Sequence, residues 1–194
     1  KTNKEVIKLF NFIQDSVNNK KIKGILNYTP SYNKLIINFD LEEVRSQEII
    51  EFVKDSDFSK IILSEKNKTV EIPICYDEEF ALDIKRLEEK TKLSFKEIVN
   101  EHLSTDFFVY MIGFVPGQPF LGDLNQEMRL KRLETPRVKV PKGSVGITEQ
   151  FCNIYSFETP GGWNILGNTP QNIFDTSNQS RPNLINPGDT IKFY

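Results

Sequence analysis

The chain has 194 residues, of which 38% are hydrophobic and 27% charged, and its formal net charge is −2. These proportions are typical of a globular domain with a buried core, and without a basic excess the sequence predicts no nucleic-acid partner. No run of eighteen apolar residues is present, so it also predicts no membrane span and no membrane partner.

The N-terminal part of the chain predicts helices alternating with short strands. Apolar residues recur at helical spacing from Thr2 to about Asn18, which indicates an amphipathic helix. A second short helix is predicted at residues 48–53. Strands are predicted at residues 24–28, 34–39, 58–64 and 69–74. This alternation indicates a small α+β sandwich domain over residues 1–90.

Two more helices are predicted in the middle of the chain. Residues 77–91 begin with acidic side chains, where negative charge complements the free amide groups of a first helical turn. Ser94 and Glu97 form a capping box, because the hydroxyl and the carboxylate each satisfy a backbone amide at the start of the next helix. A strand at residues 107–112 follows.

Three blocks rich in Gly and Pro dominate the remainder: Gly113–Gly122, Thr135–Ile147 and Thr159–Pro170. Each combines these residues with aromatic or β-branched side chains, a mixture that breaks helices and builds short strands joined by fixed turns. Further strands are predicted at residues 146–148, 153–157, 163–166 and 190–194. The pattern indicates a small β-barrel or sandwich over residues 91–194.

The order and spacing of these blocks, with Ile72–Tyr76 before them and Asn186–Phe193 after them, resemble one known family. It contains the B subunit of 5-oxoprolinase, allophanate hydrolase subunit 1 (the first half of a carboxyltransferase domain) and the kinase inhibitor KipI. The resemblance implies a cyclophilin-like β-barrel for the C-terminal part, and hence an α+β fold overall. Where relatives usually read Pro-Gly-Phe-Pro-Tyr-Leu-Gly-Gly, this chain carries Gln118, Phe120 and Asp123.

Two residues are predicted to be catalytic. His102, the single histidine, ends a helix just before the first block, and an imidazole titrates near neutral pH, so it is assigned proton transfer at the reacting carbonyl. Arg137 is predicted to bind the anionic part of the substrate, because its planar guanidinium group can donate two hydrogen bonds to one carboxylate. The alternatives are a packed or helix-capping histidine and a solvated arginine.

Seven residues of the blocks are predicted to bind substrate. In the first block, prolines fix the turn and glycines allow close backbone approach, so its amides can converge on a carboxylate or ring carbonyl. In the second, cations stand beside a Gly-rich turn that lacks the residue order of a phosphate loop. The set is Phe114, Pro116, Gly117, Phe120, Lys142, Ser144 and Trp163. There are two alternatives to substrate binding. The first block could be a loop that only covers the end of the barrel, and Trp163 could be a core residue.

The two cysteines, Cys75 and Cys152, are too few for a disulfide framework and lack metal-site spacing. No metal is therefore predicted, and the cytoplasm is the expected compartment. Cys152 is interpreted as a small buried thiol, because nothing in the sequence supplies a base for a nucleophile.

The sequence contains no complete set of nucleophile, base and acid, so it predicts part of an enzyme whose site needs a second polypeptide. The resemblance implies one member of an ATP-dependent 5-oxoprolinase complex, inactive alone. Together with the homologous C subunit and the separate A subunit, it would hydrolyse 5-oxo-L-proline to L-glutamate. ATP would be used by the complex, with no cofactor on this chain. Two alternatives stay open: a KipI-like inhibitor of a sensor histidine kinase, and a carboxyltransferase half-domain of an allophanate or urea pathway enzyme.

Overall fold

The structure, a computed structural model, describes residues 2–63 and 67–194. Its contacts divide the chain into two compact units, Lys1–Asn67 and Lys68–Tyr194. The predicted division at residues 90 and 91 differs from this grouping. Residues 69–72 belong with the second unit because they form a strand that pairs in parallel with the last strand of the chain.

The first unit consists of two helices and a hairpin. In chain order its elements are α1 (Thr2–Asn18), β1 (Ile25–Ser31), β2 (Lys34–Phe39) and α2 (Ser46–Lys54). The apolar face of α1 buries Ile7 and Ile13 completely, and Phe12 stacks on Phe52 of α2 with ring centroids 5.4 Å apart. Burial of one stripe of an amphipathic helix therefore holds this unit together, as the helical periodicity predicts.

Two predictions in this unit need correction. The strand predicted at residues 24–28 ends later, because β1 continues to Ser31 and the chain reverses at Tyr32, which has a φ of 53°. The strand predicted at residues 58–64 is wrong over Phe58–Lys60, which form a 3-10 turn. There the Ser59 hydroxyl donates to the Asp57 carboxylate, and Phe58 packs against a ring of α1. Residue 64 lies outside the described residues.

The second unit is built on one seven-stranded sheet. Its strands lie in the order β10 (Asn164–Asn168), β7 (Ser144–Thr148), β8 (Phe151–Ile154), β5 (Pro119–Gly122), β4 (Phe107–Ile112), β11 (Thr190–Phe193) and β3 (Thr69–Ile72). Neighbouring strands are antiparallel except β11 and β3. A separate antiparallel pair joins β6 (Arg137–Val140) to β9 (Thr159–Gly161).

Two helices, α3 (Ile84–Thr91) and α4 (Phe95–Leu103), pack on this sheet and complete its core. The capping box of α4 is confirmed: the Ser94 amide donates to the Glu97 carboxylate at 2.8 Å, and the Glu97 amide donates to the Ser94 hydroxyl at 3.4 Å. Helix α3 begins seven residues later than the predicted start at residue 77. The reason is that Asp83 is buried and bonded to β10 instead of lying on a solvated helical turn.

The predicted α+β class is confirmed, and the β-rich C-terminal part forms a curled, half-barrel sheet. The sequence did not predict β5, β6 and β9, three short strands inside the Gly/Pro blocks. Within residues 2–63 and 67–194, no helix combines the length and apolar character that crossing a membrane requires.

Candidate functional site

A pocket of about 350 Å³ lies where the three Gly/Pro blocks come together. This volume is in the range of small-molecule sites. The β6–β9 pairing forms one border, because it sets Arg137 opposite Gly161 and so brings the second block beside the third. The residues that line the pocket are Phe114, Gln118, Phe120, Arg132, Pro136, Tyr155, Pro160, Gly161, Gly162 and Trp163.

Aromatic side chains form the wall of the pocket. The rings of Phe120 and Trp163 meet edge to face, with centroids 5.6 Å apart and planes at 78°. Phe114 is 70% exposed and has a φ of 69°, a left-handed conformation that is uncommon for a bulky residue. Strained backbone of this kind concentrates at ligand sites. The pocket is thus lined by three of the seven predicted substrate-binding residues: Phe114, Phe120 and Trp163.

Polar groups lie on the inner side of the pocket. Gln118 is 2% exposed, and its Oε1 has no hydrogen-bond partner among the described residues. Burial raises the pKa of the Tyr155 hydroxyl above its ordinary value, so this group stays protonated. Gly161 passes so close to that hydroxyl that a Cβ would overlap it, which explains the glycine at this place.

Arg137 lies beside the pocket and is held by a buried carboxylate. Its Nη2 donates to Asp83 Oδ1 at 2.6 Å, and Asp83 Oδ2 accepts the Ile165 amide at 2.7 Å. The other terminal nitrogen, Nη1, is buried without a partner in the described part of the chain. Arg137 also lowers the pKa of Tyr155, although desolvation outweighs it. Nη2 is thus fixed by Asp83, and Nη1 is enclosed by the surrounding chain.

His102 does not line this pocket. It is fully buried, with Nδ1 in a 2.7 Å hydrogen bond to the Tyr76 hydroxyl and Nε2 3.6 Å from Cys152 Sγ. Its ring also packs on Phe107 and Phe193, at centroid distances of 5.1 and 4.5 Å. Burial lowers the pKa of His102 to about 3. The proton-transfer role predicted for His102 therefore has no support in this geometry, because the ring is neutral and enclosed near neutral pH.

The other four predicted binding residues also lie outside the lining. The Pro116 carbonyl accepts the Ser156 hydroxyl at 2.7 Å, and Gly117, with a φ of 75°, leaves no room for a Cβ beside a phenylalanine ring. Lys142 donates from Nζ to Asn172 Oδ1 at 2.9 Å, and Ser144 is 2% exposed on β7. In this structure they shape the loops around the pocket and do not contact its space.

Sequence reasoning missed Tyr155 and Asp83 and treated Gln118 only as a change of lining. Asp83 is the fourth acidic residue of the segment that begins at residue 77, and spacing alone gave no sign of its burial. Gln118 follows the left-handed Gly117, and Tyr155 follows the last residue of β8, so at both positions strand alternation does not predict the direction of the side chain. A polar residue between apolar neighbours, as in Pro116–Phe120, is the signal that could have identified Gln118.

The volume and the aromatic wall of the pocket favour binding of a small molecule. Arg132 and Tyr155 are the titratable residues of the lining, and burial keeps the tyrosine protonated. The described lining contains no Asp, Glu, His, Lys or Cys, and it offers a ligand the Tyr155 hydroxyl, the Gln118 carboxamide and the positive charge of Arg132.

Comparison with known proteins gives a consistent family. Residues 1–185 match the family model of the carboxyltransferase domain, subdomain C and D. The chain is 31% identical to the B subunit of 5-oxoprolinase from Bacillus subtilis, over 88% of this chain and 75% of that protein. It is 35% identical to the B subunit of 5-oxoprolinase from Haemophilus influenzae, over 89% of this chain and 76% of that protein.

Solved structures share the fold. The crystal structure of TTHA0988 superimposes over the whole chain with a TM-score of 0.83 and 27% identity. This chain spans about a third, 36%, of the length of that protein. Urea amidolyase of K. lactis superimposes on 97% of this chain, which is 13% of its own length, with a TM-score of 0.70; at 21% identity this likeness shows the fold alone. The chain therefore belongs to the family of the carboxyltransferase domain, subdomain C and D, and is a relative of the 5-oxoprolinase B subunits.

Proposed function

We propose that this chain is one subunit of a 5-oxoprolinase, an ATP-dependent hydrolase that opens the ring of 5-oxo-L-proline to give L-glutamate. The observation that carries the proposal is the similarity to three proteins named as the B subunit of 5-oxoprolinase, at 31 to 36% identity. The similarity includes the three Gly/Pro blocks that surround the pocket, because the matched family region extends to residue 185.

The geometry of the pocket is compatible with this substrate. 5-Oxo-L-proline is a five-membered lactam with a carboxylate, which fits within about 350 Å³. The edge-to-face pair of Phe120 and Trp163 offers an apolar surface for the ring. Arg132 lines the pocket, and Arg137 lies beside it next to Pro136 of the lining, so both guanidinium groups place positive charge near a bound carboxylate.

Catalysis is assigned to the complex and not to this chain alone. The described lining contains no Asp, Glu, His, Lys or Cys, the residues that most often transfer protons, and hydrolysis of a lactam needs proton transfer. The homologous C subunit and the separate A subunit, which uses ATP to activate the lactam, would supply the missing chemistry. The role of this chain is then to hold the substrate by hydrogen bonds and charge, which is the part that Arg137 and the aromatic wall perform.

Reconstitution tests this function. The chain is coexpressed with candidate A and C subunits, and glutamate formation from 5-oxo-L-proline is followed with and without ATP. We expect glutamate only when all three polypeptides and ATP are present. Arg137→Ala is expected to lower kcat/KM by about 10- to 100-fold, the effect of losing a charge-assisted hydrogen bond, and Arg137→Lys by less.

The control in this assay is Lys139→Ala, which removes an exposed cation two residues along the same strand, where it pairs with Glu158 at 2.9 Å. That variant is expected to keep full activity. Absence of ATP-dependent glutamate from an intact complex of the three polypeptides would overturn the proposed function. Full activity of Arg137→Ala would remove the carboxylate-binding role from that residue.

A further inference from the structure

Gln118 is the one fully polar, uncharged side chain that the described pocket lining encloses almost completely. It is 2% exposed, and its Oε1 is buried without a hydrogen-bond partner among the described residues. A buried acceptor left unpaired is costly, so such a group in a native protein calls for a partner that the chain alone does not provide. Gln118 lines the pocket, and a turn about its terminal torsion brings this oxygen to the pocket space, where a ligand can be that partner.

Backbone hydrogen bonds fix the loop around Gln118, so the Cα of this residue has a defined position beside the pocket. The Gln118 amide donates to the Val115 carbonyl at 3.2 Å, and the Gly113 amide donates to the Gln118 carbonyl at 3.0 Å. Gly117 supplies the left-handed turn immediately before it, with a φ of 75°. The terminal torsion of a glutamine is broad, so the carboxamide can turn its oxygen or its nitrogen toward the pocket at small cost.

A carboxamide carries an acceptor and a donor side by side on one edge. A ligand that presents the complementary pair, an N–H next to a C=O, forms two hydrogen bonds with that edge in one plane. A ring amide is held cis by its ring and always presents this pair, whereas an open-chain amide is almost always trans and does not. The aromatic wall of Phe120 and Trp163 then accommodates the remaining ring atoms.

We propose that Gln118 is the specificity-determining residue of this pocket and selects a cyclic amide by pairing its carboxamide with the N–H and C=O of the ligand. This inference rests on the proposed function, because it names the chemical feature of the substrate that the pocket reads. Arg137 holds the carboxylate, and Gln118 distinguishes a lactam from rings that lack the N–H. A ring oxygen in place of the N–H would face Gln118 Oε1 with two acceptors and no proton between them.

The test compares 5-oxo-L-proline with its lactone analogue, in which a ring oxygen replaces the N–H group. Both are titrated by calorimetry into the chain and into its complex with the A and C subunits, without ATP so that no turnover occurs. We expect the wild type to bind the lactam about tenfold more tightly than the lactone, the size of one net hydrogen bond. In Gln118→Met, which has similar length and no hydrogen-bonding edge, the two ligands are expected to bind equally.

Gln126→Met is the matched control, because Gln126 is exposed on a 3-10 turn outside the lining, and it is expected to keep the tenfold preference. Gln118→Leu is a second variant in case the first does not fold, and circular dichroism checks both. An unchanged lactam preference in the Gln118 variants overturns the inference, and so does failure of the wild-type chain and complex to bind either ligand.

The two proposals fail in distinguishable ways. If the complex forms glutamate but Gln118→Met keeps the lactam preference, the proposed function is supported and the proposed role of Gln118 is wrong. If the lactam preference depends on Gln118 but the complex forms no glutamate, the pocket reads a cyclic amide and the hydrolase assignment falls.

Discussion

Asp83 and Arg137, 54 residues apart in the chain, meet in an ion pair of 2.6 Å beside the pocket. The Asp83 side chain is 7% exposed and the Arg137 side chain 27%. Because the second oxygen of Asp83 accepts the Ile165 amide, one carboxylate joins the start of α3 to both β6 and β10. The residues that precede these two strands, Pro136 and Trp163, border the pocket.

Replacement of Asp83 is expected to destabilise the protein. In Asp83→Ala the Ile165 amide and the Arg137 charge lose their partner, and breaking such a pair costs about 3 kcal/mol, less where one partner keeps some exposure to water. Asp83→Asn keeps an oxygen for the Ile165 amide, so its loss should be smaller. Urea denaturation of the three proteins measures the difference. Equal free energies of unfolding for wild type and Asp83→Ala would show that the pair does not stabilise the fold.

Alanine substitutions at two adjacent glycines of the pocket should have different effects on ligand binding. A Cβ at Gly161 would overlap the Tyr155 hydroxyl, whereas a Cβ at Gly162 would meet its nearest atom, Pro136 Cγ, at an ordinary 3.5 Å. We expect Gly161→Ala to weaken binding of 5-oxo-L-proline by about tenfold or more, since overpacking displaces the pocket wall at a cost of about 1 to 3 kcal/mol. Gly162→Ala should bind as the wild type does. Similar titration curves for both variants would contradict this prediction.

Burial of His102 predicts a pH-dependent stability. Its pKa is about 3 in the folded protein and about 6.5 in an unfolded chain, so the unfolded state binds the proton more readily. The free energy of unfolding therefore takes its full value, as far as His102 is concerned, above pH 6.5. It decreases as the pH falls toward 3, by about 1.4 kcal/mol per pH unit.

His102→Gln removes this titration and is the comparison for that measurement. Its free energy of unfolding, determined by urea denaturation between about pH 7 and 4, should fall less steeply than that of the wild type. The slope difference isolates His102, because acidic side chains contribute to both proteins alike. Parallel slopes would mean that the folded protein accepts a proton on this ring.

The Ser94 cap should make a modest contribution to the free energy of unfolding. Ser94→Ala removes the hydroxyl that accepts the Glu97 amide at the start of α4, and loss of an N-cap costs about 1 kcal/mol. Ser94→Thr keeps a hydroxyl and should recover most of that loss. A thermal melt of each variant is sufficient to test this, and an unchanged midpoint for Ser94→Ala would count against the cap.

Several local features followed directly from residue pattern. Helix α1 has the predicted bounds because apolar spacing at about 3.6 residues per turn is itself the cause of its burial. The Ser94 cap was recognisable because all of its groups lie within one helical turn. By contrast, β5, β6 and β9 went unpredicted, since each is very short and depends on a distant partner.

The sequence by itself determined the α+β class and the placement of turns in the Gly/Pro blocks, because turn residues and periodicity act over a few positions, and the order of those blocks carried the resemblance to the family. Only the tertiary structure decided which side chains meet there. It buried His102 with Tyr76 and Cys152, and it paired Asp83 with Arg137, because sheet pairing brings together residues that are 26 to 54 positions apart. Desolvation and ion pairing depend on those neighbours in space, and they govern which groups can carry charge or take up a proton.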